Sequence, residues 1–360
     1  MSSMPAVALS RPPPDRLRVL VVDDDPVYRQ ILTRILSEMP GVELVGTCAT
    51  VALAKAKIES TAIDVVTIDV VLRDESGLDL LKWLRTEKKD VVAALLTSGG
   101  DRLARTEVDA ALLGAVALVT KPAGPDAKAN LTASVRTMLE GVRKRHVVKP
   151  QAVRLAQPER HFAVLREVIA VGASTGGPPV VMKLLQSLRP SFDTPILITQ
   201  HMPASHIPYF AALLAKQSGR NVAPARDLEP VVPGRVYVAS EARHMTVVRQ
   251  GASLVIRQND GPEEHNCKPA VDPLFRSVAD VVGAAAVGVV ITGMGSDGAL
   301  GAIALRSRGA PVVAQDEATS VVWGMPGATV AAGGADAVSP GDDLAQWVMK
   351  WTLGTKAPAP

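Results

Sequence analysis

The strongest constraint on the fold is a regular alternation of short apolar runs with longer helical segments. Five apolar runs alternate with five segments of helical periodicity between residues 16 and 140; the runs are RVLVVD (18–23), VELVGT (42–47), DVVTID (64–69), VVAALLT (91–97) and AVALVT (115–120). Continuous apolar runs of this length are typical of strands buried on both faces. The alternation therefore predicts an α/β domain with a five-stranded parallel sheet.

A second α/β series follows a basic, proline-containing stretch at 141–165, which we interpret as a linker. Strands and helices again alternate; strands are predicted at 167–172, 195–200, 286–291 and 311–314, and helices at 177–188, 204–217, 271–282 and 298–308. The short alternating runs GRVYVAS, HMTVVRQ and SLVIRQ within 228–258 predict an antiparallel hairpin insertion. We therefore predict one domain at 16–140 and a doubly wound α/β domain at 166–353.

Composition excludes several classes of protein. The chain has 360 residues, a net charge of +3 and only two cysteines, Cys48 and Cys267. Two cysteines exclude a disulfide framework and a cysteine-rich zinc site, and the small net charge does not indicate nucleic-acid binding. No apolar stretch reaches the ~18 residues of a membrane-spanning helix, and the N-terminus lacks a signal peptide's features. We therefore expect a soluble, cytoplasmic protein of two domains.

In the first half, charged and hydroxyl side chains stand where predicted strands end. Asp23 and Asp24 follow the first strand, Asp69 ends the third, Thr97 ends the fourth and Lys121 follows the fifth. Because ligands bind beyond the carboxyl ends of strands in an open parallel sheet, these side chains should converge. Three clustered carboxylates suit Mg²⁺, beside which Asp69 can attack a phosphoryl group. Lys121 and the Thr97 hydroxyl would then bind phosphate oxygens, a contact specific to the modified state.

In the second half, three residues suited to acyl transfer also follow predicted strands. Ser174 lies in GASTGG (172–177), between a strand and a helix, and His201 and Asp297 follow two later strands. Serine is a weak nucleophile without a base, and histidine, with an unperturbed pKa of ~6.5, can remove and return a proton near neutral pH. A buried Asp would fix the imidazole tautomer, and backbone N–H groups near the glycines would stabilise an oxyanion.

Two other interpretations fit part of this pattern. A dinucleotide loop needs Gly where Ser174 stands, and no acidic residue follows the next strand to bind a ribose. The G-x-S-x-G sequence matches the nucleophile elbow of α/β-hydrolases, in which the acid precedes the histidine. Because Asp193, Asp227 and Asp260 precede His265, residue order alone does not exclude that fold. We expect packing, surface or loop positions without a catalytic role for three further histidines and the second cysteine, namely His206, His244, His265 and Cys267.

Residues 16–140 resemble the receiver domain of bacterial response regulators, a flavodoxin-like fold. The resemblance implies that Asp23 and Asp24 hold Mg²⁺ with Asp69, and that Asp69 is phosphorylated by a histidine kinase. Thr97 and Lys121 match the family's switch hydroxyl and lysine. The chain departs from the family where Leu72-Arg73 replaces a common Met-Pro and where Leu118 stands at a commonly aromatic position. The second departure affects the expected aromatic switch rather than phosphorylation.

Residues 16–350 resemble the receiver-linked protein-glutamate methylesterases of bacterial chemotaxis, the CheB type, in the same domain order. The matching stretches are AVGASTGGP, LITQHMP, RHMTV, VDPLFRSVA, VITGMGSDGALG and VVWGMP. The family's catalytic Ser, His and Asp correspond to Ser174, His201 and Asp297. Thr175 and Met294 match neighbours of the active site or oxyanion hole. Relatives often have Asn at the position of Ser296.

The resemblance implies hydrolysis of glutamate γ-methyl esters on the cytoplasmic helices of methyl-accepting chemoreceptors, with deamidation of receptor glutamines as a secondary activity. Mg²⁺ would serve phosphorylation only, and no cofactor would be needed for the ester. The unphosphorylated receiver is expected to cover the catalytic cleft. No nucleic acid and no membrane insertion are expected. A receiver scaffold that binds partners without hydrolysis, and an esterase of a chemosensory system unrelated to motility, are the alternatives.

Overall fold

The computed structural model describes residues 16–73, 75–87, 91–97, 103–115, 117–121, 127–147, 165–240 and 242–352. Most of the predicted linker, residues 148–164, lies outside these ranges, as does Pro122. Helix α5 continues from the N-terminal domain through the first residues of that linker and ends at Val147.

The N-terminal domain has a five-stranded parallel sheet in the order β2-β1-β3-β6-β7 and a separate two-stranded antiparallel pair, β4 and β5. Its strands are β1 (Leu17–Val22), β2 (Val42–Cys48), β3 (Val65–Asp69), β4 (Val71–Leu72), β5 (Glu75–Ser76), β6 (Val92–Thr97) and β7 (Ala117–Thr120). Its helices are α1 (Pro26–Ser37), α2 (Val51–Ser60), α3 (Gly77–Glu87), α4 (Leu103–Leu112) and α5 (Ala127–Val147). The apolar runs form the strands because β-branched side chains fill both faces of the sheet.

The C-terminal domain has a seven-stranded parallel sheet in the order β10-β11-β9-β8-β14-β15-β16. Its strands are β8 (Val168–Ala173), β9 (Ile196–Gln200), β10 (Asn221–Pro224), β11 (Arg235–Val238), β12 (His244–Gln250), β13 (Ser253–Asn259), β14 (Ala286–Val290), β15 (Val312–Gln315) and β16 (Ala337–Ser339). Its helices are α6 (Gly177–Ser187), α7 (Ile207–Ser218), α8 (Val271–Val281), α9 (Ala299–Ser307), α10 (Gly324–Ala331) and α11 (Leu344–Thr352). The predicted α/β class is confirmed for both domains.

The hairpin insertion is smaller than the sequence predicted. Strands β12 and β13 pair antiparallel, as expected for HMTVVRQ and SLVIRQ. The run GRVYVAS is not part of the hairpin; it forms β11, which pairs in parallel with β9. Strand β10, which was not predicted, pairs in parallel with β11 at the sheet edge. Alternating polarity in GRVYVAS reflects its place near this edge, because edge strands are covered less completely than central ones.

Apolar side chains pack on both faces of each sheet. The layer between the C-terminal sheet and α6 and α7 includes Val171, Phe210 and Leu185, and the opposite layer includes Phe275 from α8. None of the described helices is both long enough and apolar enough to cross a lipid bilayer.

The two domains contact each other through α4. Val108 of α4 is fully buried in the C-terminal core beside α6 and α7, and Leu112 packs against the same cluster. In the opposite direction, Val321 of the C-terminal domain packs against the core of the N-terminal domain. Apolar surface from each domain is thereby removed from water, which gives the contact a hydrophobic component.

Candidate active site

Ser174 lies in a tight turn between β8 and α6. Its backbone N–H donates to the Thr292 carbonyl at 3.0 Å, and its carbonyl accepts from the Gly177 N–H at 2.8 Å. Gly176 has φ +75°, a conformation that favours glycine, and it precedes the first residue of α6. A Cβ on Gly293 would lie only 2.6 Å from the Ser174 Cβ. The turn therefore places the hydroxyl next to the loop that follows β14 and at the positive end of α6.

His201 follows the adjacent strand at the same level. Ala173 and Gln200 are register partners of β8 and β9, and the His201 N–H donates to the Ala173 carbonyl at 2.9 Å. Neighbouring parallel strands lie about 4.8 Å apart, so the residues that follow this pair, Ser174 and His201, leave the sheet side by side. Both line one cavity of about 210 Å³, which Thr175 also lines.

Asp297 is a buried carboxylate with a full set of hydrogen bonds. His201 Nε2 lies 2.8 Å from Asp297 Oδ2, which also accepts the Val271 N–H at 2.6 Å. Oδ1 accepts the Asp272 N–H at 2.9 Å. Val271 and Asp272 are the first two residues of α8, so Asp297 lies at the positive end of that helix. This fixes the carboxylate in one orientation toward the imidazole.

The hydrogen bond between His201 and Asp297 changes the pKa of both residues. Burial by itself raises the pKa of Asp297, but the hydrogen bonds from His201, Val271 and Asp272 outweigh it and lower that pKa below the ordinary value. Burial lowers the pKa of His201, yet the hydrogen bonds to Asp297 and Cys267 raise it to about 9. The ionised Asp therefore stabilises an imidazolium, the form that a general base takes once it has accepted a proton.

The same contacts determine which ring nitrogen is basic. With Nε2 hydrogen-bonded to the ionised carboxylate, the proton of a neutral His201 lies on Nε2, and Nδ1 is left to accept a proton. Nδ1 lies 3.5 Å from Cys267 Sγ. Cys267 lies outside the named strands and helices, as expected for a loop residue, but its contact with His201 was not predicted. Sequence alone could not show this, because the two residues are 66 positions apart.

Gln200 is a positioning residue that the sequence interpretation missed. Its Nε2 donates to the Ser174 carbonyl at 2.9 Å and to the His201 carbonyl at 3.2 Å, and the side chain is buried. One amide therefore ties together the backbone of both residues. Of the two predicted neighbours, Thr175 accepts a hydrogen bond from Thr292 Oγ1 at its carbonyl, and Met294 lies on the surface with 58% of its area exposed.

The predicted carboxylate cluster of the N-terminal domain also comes together. Carboxylate oxygens of Asp23, Asp24 and Asp69 lie within 4.8 Å of one another. Lys121 Nζ lies 2.7 Å from Asp23 Oδ2 and 2.5 Å from Asp69 Oδ2, and Asp23, Asp69 and Lys121 are all buried. Thr97 ends β6 next to them and is fully buried. All five predicted residues therefore lie at the carboxyl edge of this sheet.

This cluster fits a hard divalent cation. Three carboxylates face a single lysine, which leaves an excess of negative charge that a cation with oxygen ligands would balance. Burial raises the pKa of Asp23, and Lys121 opposes that rise. Burial lowers the pKa of Lys121, but its bonds to Asp23 and Asp69 raise it overall, which keeps the ammonium charged. Lys121 also lies 4.3 Å from the Tyr28 ring centroid, a contact that the sequence interpretation missed.

Polar contacts from α4 close the active-site cavity on one side. His206 Nε2 is hydrogen-bonded to Glu107, and both residues line the cavity with Ser174 and His201. The Tyr209 hydroxyl donates to Asp109 at 3.0 Å, and Arg105 lies 5.6 Å from the Tyr209 ring centroid. His206 is partly buried and hydrogen-bonded, in agreement with the predicted packing or surface position. That its partner, Glu107, belongs to the other domain was not indicated by any local motif.

Two further histidines, His244 and His265, have different environments. His244 is buried, and its ring bonds the Pro262 carbonyl and the Ala270 N–H, which confirms packing for that residue. His265 Nε2 lies 2.9 Å from Asp272 Oδ2. His265, Asp272 and Asp297 are close enough to share a cation. However, both oxygens of each carboxylate already accept hydrogen bonds, so this group does not fit a metal as arranged.

Comparisons with known proteins identify the families that this chain matches. The model of the CheB methylesterase family matches residues 169–348, and that of the response regulator receiver domain matches residues 19–135. A protein-glutamate methylesterase/protein-glutamine glutaminase of Xanthomonas oryzae pv. oryzae is 38% identical over 92% of this chain and 96% of its own length. One from Trichodesmium erythraeum is 34% identical over 93% of this chain and 99% of its own length. The crystal structure of the Thermotoga maritima CheB methylesterase catalytic domain is 32% identical, covering 52% of this chain and 99% of that one, with a TM-score of 0.51.

Proposed function

The chain belongs to the CheB methylesterase family, and we propose that it is a receiver-regulated serine esterase that hydrolyses glutamate γ-methyl esters on chemoreceptors to glutamate and methanol. The observation that carries this proposal is the hydrogen bond of 2.8 Å between His201 and the buried Asp297, beside Ser174. We assign residues 16–140 to the receiver, 141–165 to the linker and 166–353 to the catalytic domain.

In the acylation step, the Ser174 hydroxyl attacks the ester carbonyl while Nδ1 of His201 takes its proton. The ionised Asp297 stabilises the imidazolium that forms, in agreement with the raised pKa of His201. Within α6 the Gly177 N–H already donates to the Ser174 carbonyl, and Pro178 and Pro179 have no N–H. The backbone N–H groups of the turn before α6, those of Thr175 and Gly176, would therefore receive the negative charge on the carbonyl oxygen. The loop that carries Met294 borders the same site. His201 then protonates the departing methoxide, since methanol is a poor leaving group.

In the second step, water attacks the acyl-serine while His201 again accepts a proton, and the product is a free glutamate side chain. The same two steps remove ammonia from a glutamine side chain, because an amide presents the same carbonyl. We therefore include deamidation of receptor glutamines as a second activity. The ester chemistry uses protein groups alone. The methylated helices of the receptors are the expected partner, which would place the reaction in the cytoplasm.

We assign phosphorylation to Asp69, with a histidine kinase as the phosphoryl donor. Asp23, Asp24 and Asp69 would hold Mg²⁺, which supplies neutralisation of phosphoryl charge when bound. Lys121 already contacts Asp69 and would bind a phosphoryl oxygen in place of the free carboxylate. The Thr97 hydroxyl at the neighbouring strand end would bind another oxygen, so that the phosphorylated and free states differ in local contacts.

Regulation would act through α4. Because Glu107 and His206 line the cavity that contains Ser174, the receiver in this arrangement restricts access for a protein substrate. Phosphorylation needs only to change the interface energy, since a 100-fold activation corresponds to about 2.7 kcal/mol. The contact between the domains supports this proposal. The test below separates it from a non-hydrolytic scaffold, whereas an esterase of a non-motility pathway would carry out the same reaction.

The test is demethylation of purified, methylated receptors from the same cell by the full-length protein, with and without a small phosphodonor. We expect methanol release that increases on phosphorylation and is lost in Ser174→Ala. A matched control is Ser37→Ala, which removes an exposed hydroxyl at the end of α1. A protein that binds the receptors without releasing methanol or ammonia would be a scaffold, and the esterase proposal would be wrong.

A further inference from the structure

A second set of serine, histidine and aspartate side chains lies beside the first. Ser296 Oγ lies 3.3 Å from His265 Nδ1, and His265 Nε2 lies 2.9 Å from Asp272 Oδ2. The arrangement matches that of His201 and Asp297: the histidine Nε2 faces the carboxylate, and Nδ1 is left to accept a proton. Exposure rises along the set: Asp272 is fully buried, His265 is partly accessible and Ser296 is exposed.

The acid of this set is held rigidly. Asp272 is the second residue of α8, and its Oδ1 accepts the Gly301 N–H at 2.6 Å from α9. Oδ2 is thereby left to face His265. An aspartate with one oxygen anchored and the other on an imidazole orients the ring and fixes its tautomer. Asp272 also lies within the N-terminal turn of α8, but unlike Asp297 its pKa is raised, because burial outweighs the bonds from Gly301 and His265 that lower it.

The loop that carries His265 is also fixed, in a costly conformation. His265 and Asn266 have φ of 54° and 58°, in the left-handed region that residues with side chains seldom adopt. Two backbone hydrogen bonds between Glu264 and Cys267 close the loop, and Arg276 binds both oxygens of Glu264. These contacts hold the imidazole toward Ser296 instead of letting it turn into solvent.

Space and positive potential are present at the hydroxyl. A Cβ on Gly295 would meet no atom within 4 Å, so the surface next to Ser296 is open to a small molecule. The nine-residue helix α9 begins at Ala299, just after Ser296, with its positive end toward the hydroxyl. The Ala299 N–H of this turn already donates to the Ser296 carbonyl, and the Gly301 N–H donates to Asp272. An oxyanion formed on a carbonyl attacked by Ser296 would therefore be stabilised by the dipole of the helix end and not by a dedicated pair of N–H donors.

We infer that Ser296, His265 and Asp272 form an accessory nucleophilic centre that reacts with small activated acyl esters. The Ser296 oxygen would bond to the acyl carbon as the bond to the leaving alcohol breaks. His265 Nδ1 would take the serine proton and return it to the alcohol. Water, deprotonated by the same nitrogen, would then release the carboxylic acid and regenerate the serine. Because Ser296 is exposed, only small, reactive esters should be turned over.

A third contact of this kind provides a matched comparison. Ser205 Oγ lies 3.1 Å from His206 Nδ1, and His206 Nε2 bonds Glu107. In that set the acid, Glu107, belongs to the N-terminal domain, and the histidine directly follows the serine in the sequence. A glutamate on the opposite side of a domain interface does not provide the fixed support that Asp272 receives from α8 and α9. Ser205 should therefore be unreactive.

The experiment uses full-length Ser174→Ala protein, so that the main nucleophile is absent. We would measure hydrolysis of p-nitrophenyl acetate and map covalent adducts of a fluorophosphonate probe by peptide mass spectrometry. We expect a residual rate and an adduct on Ser296. Adding Ser296→Ala or His265→Asn should reduce the residual rate to background, a loss of about 100-fold or more if His265 acts as a general base. Adding Ser205→Ala should change neither measurement.

Other results would overturn the inference. A residual rate that Ser296→Ala and His265→Asn leave unchanged would mean that the set is only structural. An adduct mapped to Ser205, or acylation of Cys267, would assign the reactivity elsewhere. Circular dichroism of each double variant separates loss of reaction from loss of folding, and Ser296→Ala removes one exposed oxygen only, so that it tests the nucleophile even if His265→Asn unfolds. Because Ser174 is absent throughout, the outcome is independent of the proposed receptor reaction.

Discussion

Asp69 and Asp297 both stand at the carboxyl edge of a parallel sheet, but their surroundings prepare them for opposite tasks. Asp69 has two other carboxylates and one lysine as neighbours, so its group carries excess negative charge. Asp297 has two backbone N–H donors and an imidazole, so its charge is matched. The first group is suited to a cation and a phosphoryl group, and the second holds a base in one orientation.

The comparison shows that the sheet topology determines where a functional site is built, whereas the charges around each carboxylate determine which reaction that site can support. Open parallel sheets present side chains at their carboxyl ends whatever the function. A carboxylate with unmatched neighbours attracts a hard cation, whereas one fixed by a helix N-terminus has no oxygen left to ligate one. Four predictions test this difference, beginning with the largest effect.

Asp297→Asn should remove the charge that supports His201 while keeping the side-chain shape. We expect kcat for methyl ester hydrolysis to fall by about 10³–10⁴-fold, because an amide does not stabilise the imidazolium or fix its tautomer. Steady-state kinetics on methylated receptor measures the loss. The control is Asp280→Asn, which removes an exposed partner of Arg308. Near-normal turnover in Asp297→Asn would show that charge at this site is dispensable.

Asp69→Asn should affect regulation without affecting the chemistry at Ser174. If phosphorylation activates about 100-fold, the ratio of rates with and without phosphodonor should fall to one, since the amide is not a nucleophile for the phosphoryl group. Asp79→Asn, an exposed partner of Lys82, should keep the ratio. A phosphodonor that still activates Asp69→Asn would place the phosphorylated residue elsewhere.

The pH profile should reflect the raised pKa of His201. Only the neutral imidazole accepts a proton, so with a pKa of about 9 the value of kcat/KM should rise about 50-fold between pH 7 and pH 9. In Asp297→Asn the residual profile should shift to lower pH. Because the pKa of His201 is higher in the folded than in the unfolded chain, protonation of His201 stabilises the folded state. This stabilisation is complete below about pH 6.5 and is lost as the pH rises through about 9. A profile that levels off near pH 6.5 would contradict the proposed electrostatic support.

Glu107→Gln should produce the smallest change, and in the opposite direction. Weakening one partly buried interdomain hydrogen bond by about 1–1.5 kcal/mol should raise the unphosphorylated rate roughly 5–10-fold. Esterase assays without phosphodonor measure it, and Glu59→Gln on the exposed side of α2 is the control. A basal rate that does not rise would show that this contact does not restrain the enzyme.

Much of the fold could be predicted because each strand carried its own signal. The continuous apolar runs of β1, β3, β8 and β14 are buried on both faces, and few other structures accommodate such runs. The prediction failed for β11, whose alternating sequence resembles a hairpin strand. Pairing with β9 depends on a neighbour that is distant in sequence, and local periodicity contains no information about it.

Some features of the candidate site could likewise be predicted from the sequence, and others could not. The strand-end rule predicted that Ser174, His201 and Asp297 would lie on one edge, and the structure places all three there. It did not predict that the Gln200 side chain donates hydrogen bonds to the carbonyls of Ser174 and His201, or that Cys267 lies beside His201. Nor did it predict the contacts from α4, since Glu107 and His206 are 99 residues apart and belong to different domains.

The sequence by itself determined the class of each domain, the edge at which each site is built and the chemical types gathered there. Those properties follow from periodicity and from the residue after each strand, which are local. The tertiary structure alone decided the hydrogen-bond partners of each carboxylate, the nitrogen of His201 that is left basic and the cover over the cavity. These depend on loops and a neighbouring domain that approach from distant parts of the chain, where contacts are set by packing in three dimensions.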